Sequence, residues 1–396
     1  MRHQSTTYLT ESFPLHEITL ETNGLEKTSN SDESGAVVFN HVFRRSGSEV
    51  QKRINALKIG QKMQDLPEEL WHDSFRYYVK EDPNRRGGPN MRMIRLDPSK
   101  PSLTVTGYIF NKFVHPYENR FITVREAARL QGFPDSLKFE GSLTSTQMQV
   151  GNAVPVQLAK AVFEAVLISV RKLGYGKRNL TAFSLFSGAG GLDIGAEQAT
   201  YKSMKIETLV TLDNWKDACD TLRGFYQGRV SVLQGDISEI QDPKLLWHQE
   251  SKCDQVPDIV FGGPPCQAFS QAGKQKATND PRGNLIYEYL RFIEKISPPF
   301  FVMENVANLK GVQRGELYHD ILERMSNLGY NVTVAPLLAA DYGAPQLRKR
   351  LIFLGCKKEL GVMELPVPTH SDTPDLLSPN PYVSVGEAFK GLPRLV

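Results

Sequence analysis

The chain holds few of the residues that would settle its class by themselves. Cysteine occurs four times in 396 residues, at Cys219, Cys253, Cys266 and Cys356. None of these has CxxC spacing, so neither a zinc site nor a disulfide framework is expected. A reducing cytoplasm is the predicted setting. No run of about 18 apolar residues is apparent, so no membrane span is expected. The opening MRHQSTTYLTESFPLHEITL lacks the basic-then-apolar pattern of a secretory signal. Net charge is slight, 47 Lys and Arg against 44 Asp and Glu. With 40% hydrophobic and 23% charged residues, the chain is of ordinary globular composition. Its length suits one large α/β domain and a smaller companion.

The small net charge conceals an uneven distribution. Residues 1–39 carry 2 basic and 6 acidic side chains, residues 40–120 carry 15 and 9, and the remainder carries 30 and 29. The basic excess therefore sits in one early segment, as expected of a surface that meets a polyanion, with a plain solvated face as the alternative.

Residues 1–36 are rich in Ser, Thr, Glu and Asn without sustained period and read as a mobile tail. SGSEVQKRINAL predicts a helix, N-capped by Ser46 or Ser48, with Val50, Ile54 and Leu57 on a buried stripe. Prolines then interrupt the chain, and NRRGGPNMRMIRL gathers Arg85, Arg86, Arg92 and Arg95 around a loop. Such arginines position phosphates or fork onto guanine, unless they only tie loops to the domain. Ser102 to Phe110 reads as a strand. Thr123 and Glu126 predict a capping box for the helix VREAARLQ, which Gly132 ends. Gly151 to Pro155 reads as a turn ahead of a long helix carrying Leu158, Val162 and Val166, and a polar linker, Gly174 to Asn179, follows.

Beyond the linker the pattern is strand, turn, helix, repeated. FSGAGG forms a glycine-rich βα turn suited to close approach of a ligand. The next strands end at Asp213 and Asp236, where carboxylates suit a ribose and an adenine amino group. The fourth strand leads into GGPPCQAFS. Its two prolines force a turn at the strand's carboxyl end, and Cys266 is displayed where α/β sheets bind ligands. Residues 271–284 read as a lid. PPFFVMENV ends in Glu304 and Asn305, an acid beside a thiol. Gln346, Arg348 and Arg350 alternate, which places all three on one face. The last residues, from Ser378, show no core-building helix.

With these motifs in hand, the chain resembles the DNA (cytosine-5)-methyltransferases: FSGAGG, GGPPCQ, RGNL, ENV and QLRKR occur in order, and VREAARLQGFPD and QVGNAVP match the family's last two motifs. Here those last two precede FSGAGG, as in circularly permuted members, with the old ends joined through Gly174 to Asn179 and the new ends near LPRLV and Phe39. Residues 1–36 match none of the motifs. The resemblance implies a doubly wound, mostly parallel S-adenosylmethionine-dependent methyltransferase sheet with a small, irregular target-recognition domain. The expected division is recognition over 37–118, the permuted motifs over 119–173, a linker over 174–180 and the catalytic core over 181–396. It implies Cys266 as nucleophile at cytosine C6, with Glu304, Arg348 and Arg350 as its catalytic partners. The cofactor residues implied are Phe186, Gly188, Gly190, Leu192, Asp213, Asp236, Ile237, Pro265, Leu285, Asn152 and Ala153. Arg85, Arg86, Arg92, Arg95, Thr104, Gln267 and Ser270 are assigned to DNA. No metal is expected. A monomer is expected, acting on double-stranded DNA in the bacterial cytoplasm, with a cognate restriction endonuclease as functional partner. The same chemistry on tRNA, or a silent DNA-binding regulator, stands as the alternative.

Overall fold

The computed structural model describes residues 38–80, 93–107, 109–265, 285–376 and 378–395. The tail, Arg85, Arg86, Arg92, Cys266, Gln267, Ser270 and the expected lid lie outside the described residues.

A small region comes first. Helix α1 (Ser48–Ala56) turns Ile54 inward, and with Leu57, Met63, Leu66, Met93, Val114 and Phe75 of α2 (Asp73–Lys80) it builds a separate apolar cluster. The helix is capped by Gly47 without a side-chain bond, not by Ser46 or Ser48. Strand β1 (Ile94–Arg95) runs beside β3 (Phe113–Val114). Between them the expected strand from Ser102 shrinks to β2 (Ser102–Leu103), because its ladder partner, Gln346–Leu347, is equally short. Past that point the chain is wedged against a helix: a Cβ on Gly151 would lie 2.0 Å from Gly107 N.

Three helices follow. The capping box of α3 (Val124–Leu130) is present: Thr123 Oγ1 accepts from Glu126 N at 3.1 Å, and the Glu126 carboxylate accepts from Thr123 N at 2.7 Å. Helix α4 (Leu143–Asn152) runs further than expected, so only Ala153–Pro155 remains as the turn before α5 (Val156–Lys172). Leu143–Lys172 is, by length and composition, apolar enough to cross a membrane. Here it is broken at Pro155, and α5 is spent on the core, with Leu158, Val162, Phe163 and Val166 fully buried. Each such side chain contributes about 1.5–3 kcal/mol of apolar burial.

Six residues join α5 to β4 (Asn179–Leu185), so the linker ends slightly earlier than expected. Then come α6 (Gly191–Gln198), β5 (Thr200–Tyr201), β6 (Met204–Asp213), α7 (Lys216–Tyr226), β7 (Ser231–Gln234), α8 (Pro243–Ser251), β8 (Ile259–Gly262), α9 (Leu285–Ile296), β9 (Phe300–Val306), α10 (Glu316–Asn327), β10 (Tyr330–Leu338), β11 (Gln346–Leu347) and β12 (Lys349–Lys357). The main sheet runs β10-β12-β9-β8-β4-β6, with β5 and β7 both along β6. From β9 to β7 the strands are parallel, while β12 and β10 are antiparallel. Helices α5 and α6 cover one face, and α8, α9 and α10 the other. Phe163 of α5 meets Phe261 of β8 edge to face at 4.9 Å. The expected doubly wound, mostly parallel architecture is therefore present.

The tail of the chain does build core. Helix α11 (Val385–Phe389) opens on a Ser384–Glu387 capping box, buries Val385, and stacks Phe389 on His115 at 5.5 Å. Close by, His41 Nε2 lies 2.9 Å from Pro393 O, so the segment after Val38 and the segment before Val396 meet.

One buried group stands outside this economy. Asp193 on α6 is fully buried, and neither carboxylate oxygen has a protein donor in good geometry; Ser184 gives only partial relief. Burial, with the charges of Glu197 and Asp213, pushes its pKa up to about 7. Raised above the unfolded value of about 3.9, it makes the folded state hold the proton more tightly. Stability therefore falls as pH climbs from about 4 through about 7, by an amount on the order of 4 kcal/mol. Asp193→Asn should accordingly gain several degrees in Tm relative to the parent at pH 8.5 and clearly less at pH 5. Equal offsets at both pH values, in paired thermal melts, would rule out this carboxyl as the source.

Candidate active site

Strands β4, β6, β8 and β9 end on one edge, and the polar residues foreseen there gather on it. The Gly-Gly-Pro-Pro turn is shaped by contact. A Cβ on Gly262 would lie 2.3 Å from Leu185 O, and one on Gly263 would lie 2.8 Å from Glu304 Oε2. Only glycine lets this turn pass between β4 and the Glu304 carboxylate. Asn305 then pins it: its Nδ2 donates to Pro264 O at 3.0 Å. Pro265, at the mouth, is the last described residue before Cys266. The role of Asn305 as a clamp escaped the sequence reading, which saw only a polar residue at a strand end.

Of the three described cysteines, Cys219 and Cys356 are buried, and burial pushes both thiols up to about 11. Cys253 lies on the loop before β8, away from the carboxyl edge. None of them competes with Cys266 for the chemistry of that edge.

Glu304 is 8% exposed, and its Oε1 takes a hydrogen bond from Arg350 Nε at 2.6 Å. In the antiparallel β9–β12 ladder, Arg350 pairs with Val306 and Ile352 with Glu304, so acid and arginine are diagonal neighbours on one face. Burial raises the Glu304 pKa, and the Arg350 and Arg348 charges offset it only in part. The carboxyl therefore takes a proton more readily than an ordinary glutamate. It is suited to donating to a ring nitrogen.

The three alternating residues do not fall on one strand: Gln346 is in β11, which pairs with β2, Arg350 is in β12, and Arg348 lies between them. Gln346 is wholly buried, and Arg348 is 2% exposed. The Arg348 guanidinium donates to Val105 O, to Gly151 O at 3.1 Å and to Asn152 O at 3.5 Å. Its N–H groups go to carbonyls beside the site, and from there its charge acts on Glu304. Only Arg350 stands at the open edge.

The donor set beside this edge fits S-adenosylmethionine. Phe186, Gly188 and Gly190 all adopt positive φ, and a Cβ on Gly188 would meet open space. Asp213 Oδ2 accepts from Gly188 N, and Oδ1 from Trp215 N, both at 2.8 Å. Burial raises the Asp213 pKa. β7 ends two residues earlier than expected, and exposed Asp236 caps the short turn that follows it. Buried Ile237 is tied to α9 by Arg291, which donates to its carbonyl at 2.9 Å. Leu285 heads α9. Gly191 packs so close to Val154 O that a Cβ there would lie 2.3 Å away. This brings Ala153 and Val154, just after α4, against the start of α6, which carries Leu192. The carboxylates of Asp213 and Asp236 are acceptors of the kind that a ribose diol and an adenine amino group need.

The DNA assignments fare differently. Arg95 is 5% exposed and donates to the carbonyls of Ile54, Leu57, His115 and Glu118 and to Asn119 Oδ1, at 2.7–3.0 Å. It is a strut of the small region, not a reader of DNA. Thr104 donates to Leu347 O at 2.9 Å. By contrast Arg44 and Arg45 are exposed. They line a cleft of about 380 Å³ with Phe110, Asn111, Thr144 and Gln147. The charge excess pointed to this region without singling them out.

The C-5 cytosine-specific DNA methylase family matches residues 8–167 and 180–389. The match thus enters the tail, where no motif was recognised. Type II methyltransferase M1.HphI of Haemophilus parahaemolyticus is 38% identical over 219 residues, 55% of this chain and 54% of that one. M.FnuDI of Fusobacterium nucleatum is 37% identical over 47% of this chain and 50% of its own. M.AquIA of Picosynechococcus is 36% identical over 53% and 88%. The chain spans about half the length of the first two of these relatives.

Arg95→Met should lower stability by about 3 kcal/mol or more, because it strips partners from several carbonyls. The salt dependence of duplex binding should stay unchanged. A shift in that slope by about one phosphate contact, with stability intact, would restore Arg95 to the DNA surface.

Proposed function

Because this chain belongs to the C-5 cytosine-specific DNA methylases, we propose that it methylates C5 of a cytosine within a specific double-stranded DNA sequence. The observation that carries the reading is the buried Glu304–Arg350 pair at the strand edge, pressed against the turn that leads into Cys266. S-adenosylmethionine, when bound by the residues around Gly188, Asp213, Asp236 and Asn152, supplies a methyl group on a sulfonium.

Cytosine C5 is electron-poor and does not attack that methyl unaided. The Cys266 thiolate adds to C6, which places electron density on C5. Glu304, protonated, donates to N3 and accepts from the 4-amino group, so the ring is neutralised as the thiolate adds. Arg350 holds O2 while keeping Glu304 oriented. After C5 has taken the methyl, a base removes the C5 proton, Glu304 takes back the N3 proton and the Cys266–C6 bond breaks, restoring the neutral aromatic ring, the thiolate and the protonated acid. A stacked base cannot reach a carboxylate that is 8% exposed, so the cytosine is flipped out of the duplex.

The order of motifs is read as a circular permutation. Support comes from the six-residue join between α5 and β4 and from the packing of α5 and α6, where a Cβ on Gly195 would lie 2.3 Å from that of Ala159. Elements that close together need little chain between them. Exposed Arg44 and Arg45 extend the DNA-facing surface. The relatives' names suggest that the chain serves as the modification enzyme beside a restriction endonuclease.

DNA carrying 5-fluorocytosine at the target site should trap the enzyme as a denaturation-resistant adduct when methyl donor is present. Cys266→Ala should form none, yet still bind duplex. An adduct in that variant would remove Cys266 from its role, and methylation of bulk tRNA in preference to plasmid DNA would move the substrate. S-adenosylhomocysteine at 100 times its Kd should add about 2.7 kcal/mol of stability, read as a rise in Tm.

A further inference from the structure

Behind the site, a line of buried polar side chains joins its two halves, and the chemistry described so far does not use it. Gln346 Nε2 donates to Leu130 O and to Gln131 Oε1, both at 2.7 Å, and its Oε1 accepts from Val105 N at 3.2 Å. Gln131, wholly buried, passes the chain on: its Nε2 donates to Val150 O at 2.6 Å and to Ala153 O at 3.3 Å. Arg348 runs alongside, donating to Val105 O, Gly151 O and Asn152 O. Residues four and two places before Arg350 are thus bonded, through one amide and directly, to the turn at Asn152 and Ala153.

Gln131 is the one member that faces both ways. Its carbonyl serves β11, which leads into the strand that carries Arg350, and its amino group serves the end of α4 and the turn after it. An apolar residue of the same length would fill the space equally well, but it would leave the Val150 and Ala153 carbonyls short of a donor. Buried groups in that position are costly, so the two sides are held in one relative arrangement.

We propose that Gln131 is a positioning residue. It holds the end of α4 at Asn152 and Ala153 against β11, which leads into the strand bearing Arg350, so that filling of the cofactor pocket and capture of the flipped cytosine favour each other. The inference rests on the function proposed above. Coupling of this kind is reciprocal, and 5- to 150-fold is its ordinary range.

The test is the duplex Kd, measured with and without saturating S-adenosylhomocysteine. In the parent protein the ligand should tighten target binding about tenfold. In Gln131→Met the ratio should fall toward one, while duplex affinity without ligand stays within about twofold. Gln346→Met should lose the same coupling, and the double variant no more than either single, since both act through one bond. Should the methionine variant fail to fold, Gln131→Asn keeps the amide but falls one methylene short, and it should show the same loss. An unchanged ratio in the folded variant, additive losses in the pair, or a parent ratio of one overturns the proposal. If the parent does not bind S-adenosylhomocysteine at all, the functional reading itself fails, an outcome distinct from bound ligand without coupling.

Discussion

The rest of the site depends on keeping one carboxyl out of water. An isolated carboxylate in an apolar interior is costly enough that it takes up a proton or finds a cation. Glu304 does some of each: Arg350 sits at 2.6 Å, yet burial still moves its pKa upward. A group poised between the two states is what a proton donor to a ring nitrogen needs. The poise depends on the backbone passing close enough to exclude solvent. Gly263 accomplishes this, since even a methyl group there would press on Oε2. Asn305 holds the same turn from the other side.

The sheet explains why these groups meet. Parallel strands end their βα turns on a single edge, so the glycine turn after β4, Asp213 after β6 and Pro264 after β8 converge without long-range coincidence. The antiparallel β12 then enters beside β9 from the opposite direction, and it brings an arginine to a strand end that carries an acid. The segment before β4 contributes α5 as a covering helix and the Asn152–Ala153 turn as a pocket wall. A chain that supplies these pieces before the sheet, not after it, loses nothing geometrically, because six residues reach from α5 to β4.

Strand order and edge position were legible in the sequence, because period and turn chemistry are local properties; the shared face expected for Gln346, Arg348 and Arg350 was not, since β11 pairs with β2 and β12 with β9. The Thr123–Glu126 box was legible because it too is local. The equally local Ser384–Glu387 box was overlooked because only five helical residues follow it, too few for a period to show. What failed was everything decided by packing across the chain. The strand expected from Ser102 is cut short by α4 pressing on Gly107, and α4 takes up Gly151 and Asn152. Arg95 looked like its neighbours in a basic loop, but the carbonyls of α1 and of the turn after β3 claim it.

Arg348 and Arg350 show the limit most clearly. They are the same residue, two places apart, Arg350 on β12 and Arg348 in the step between β11 and β12. Arg348 lies where the segment after β2 and the end of α4 close over it, so its N–H groups go to carbonyls, although its charge still acts on Glu304. Burial, together with the Arg350 cation, then makes the charged form less favourable there. Arg350 lies one step beyond that cover, opposite a carboxylate. Spacing marks both as members of one alternating run. Which of them remains free for a substrate is decided by how far the neighbouring helix extends over the strand, and that is a property of packing, not of the motif.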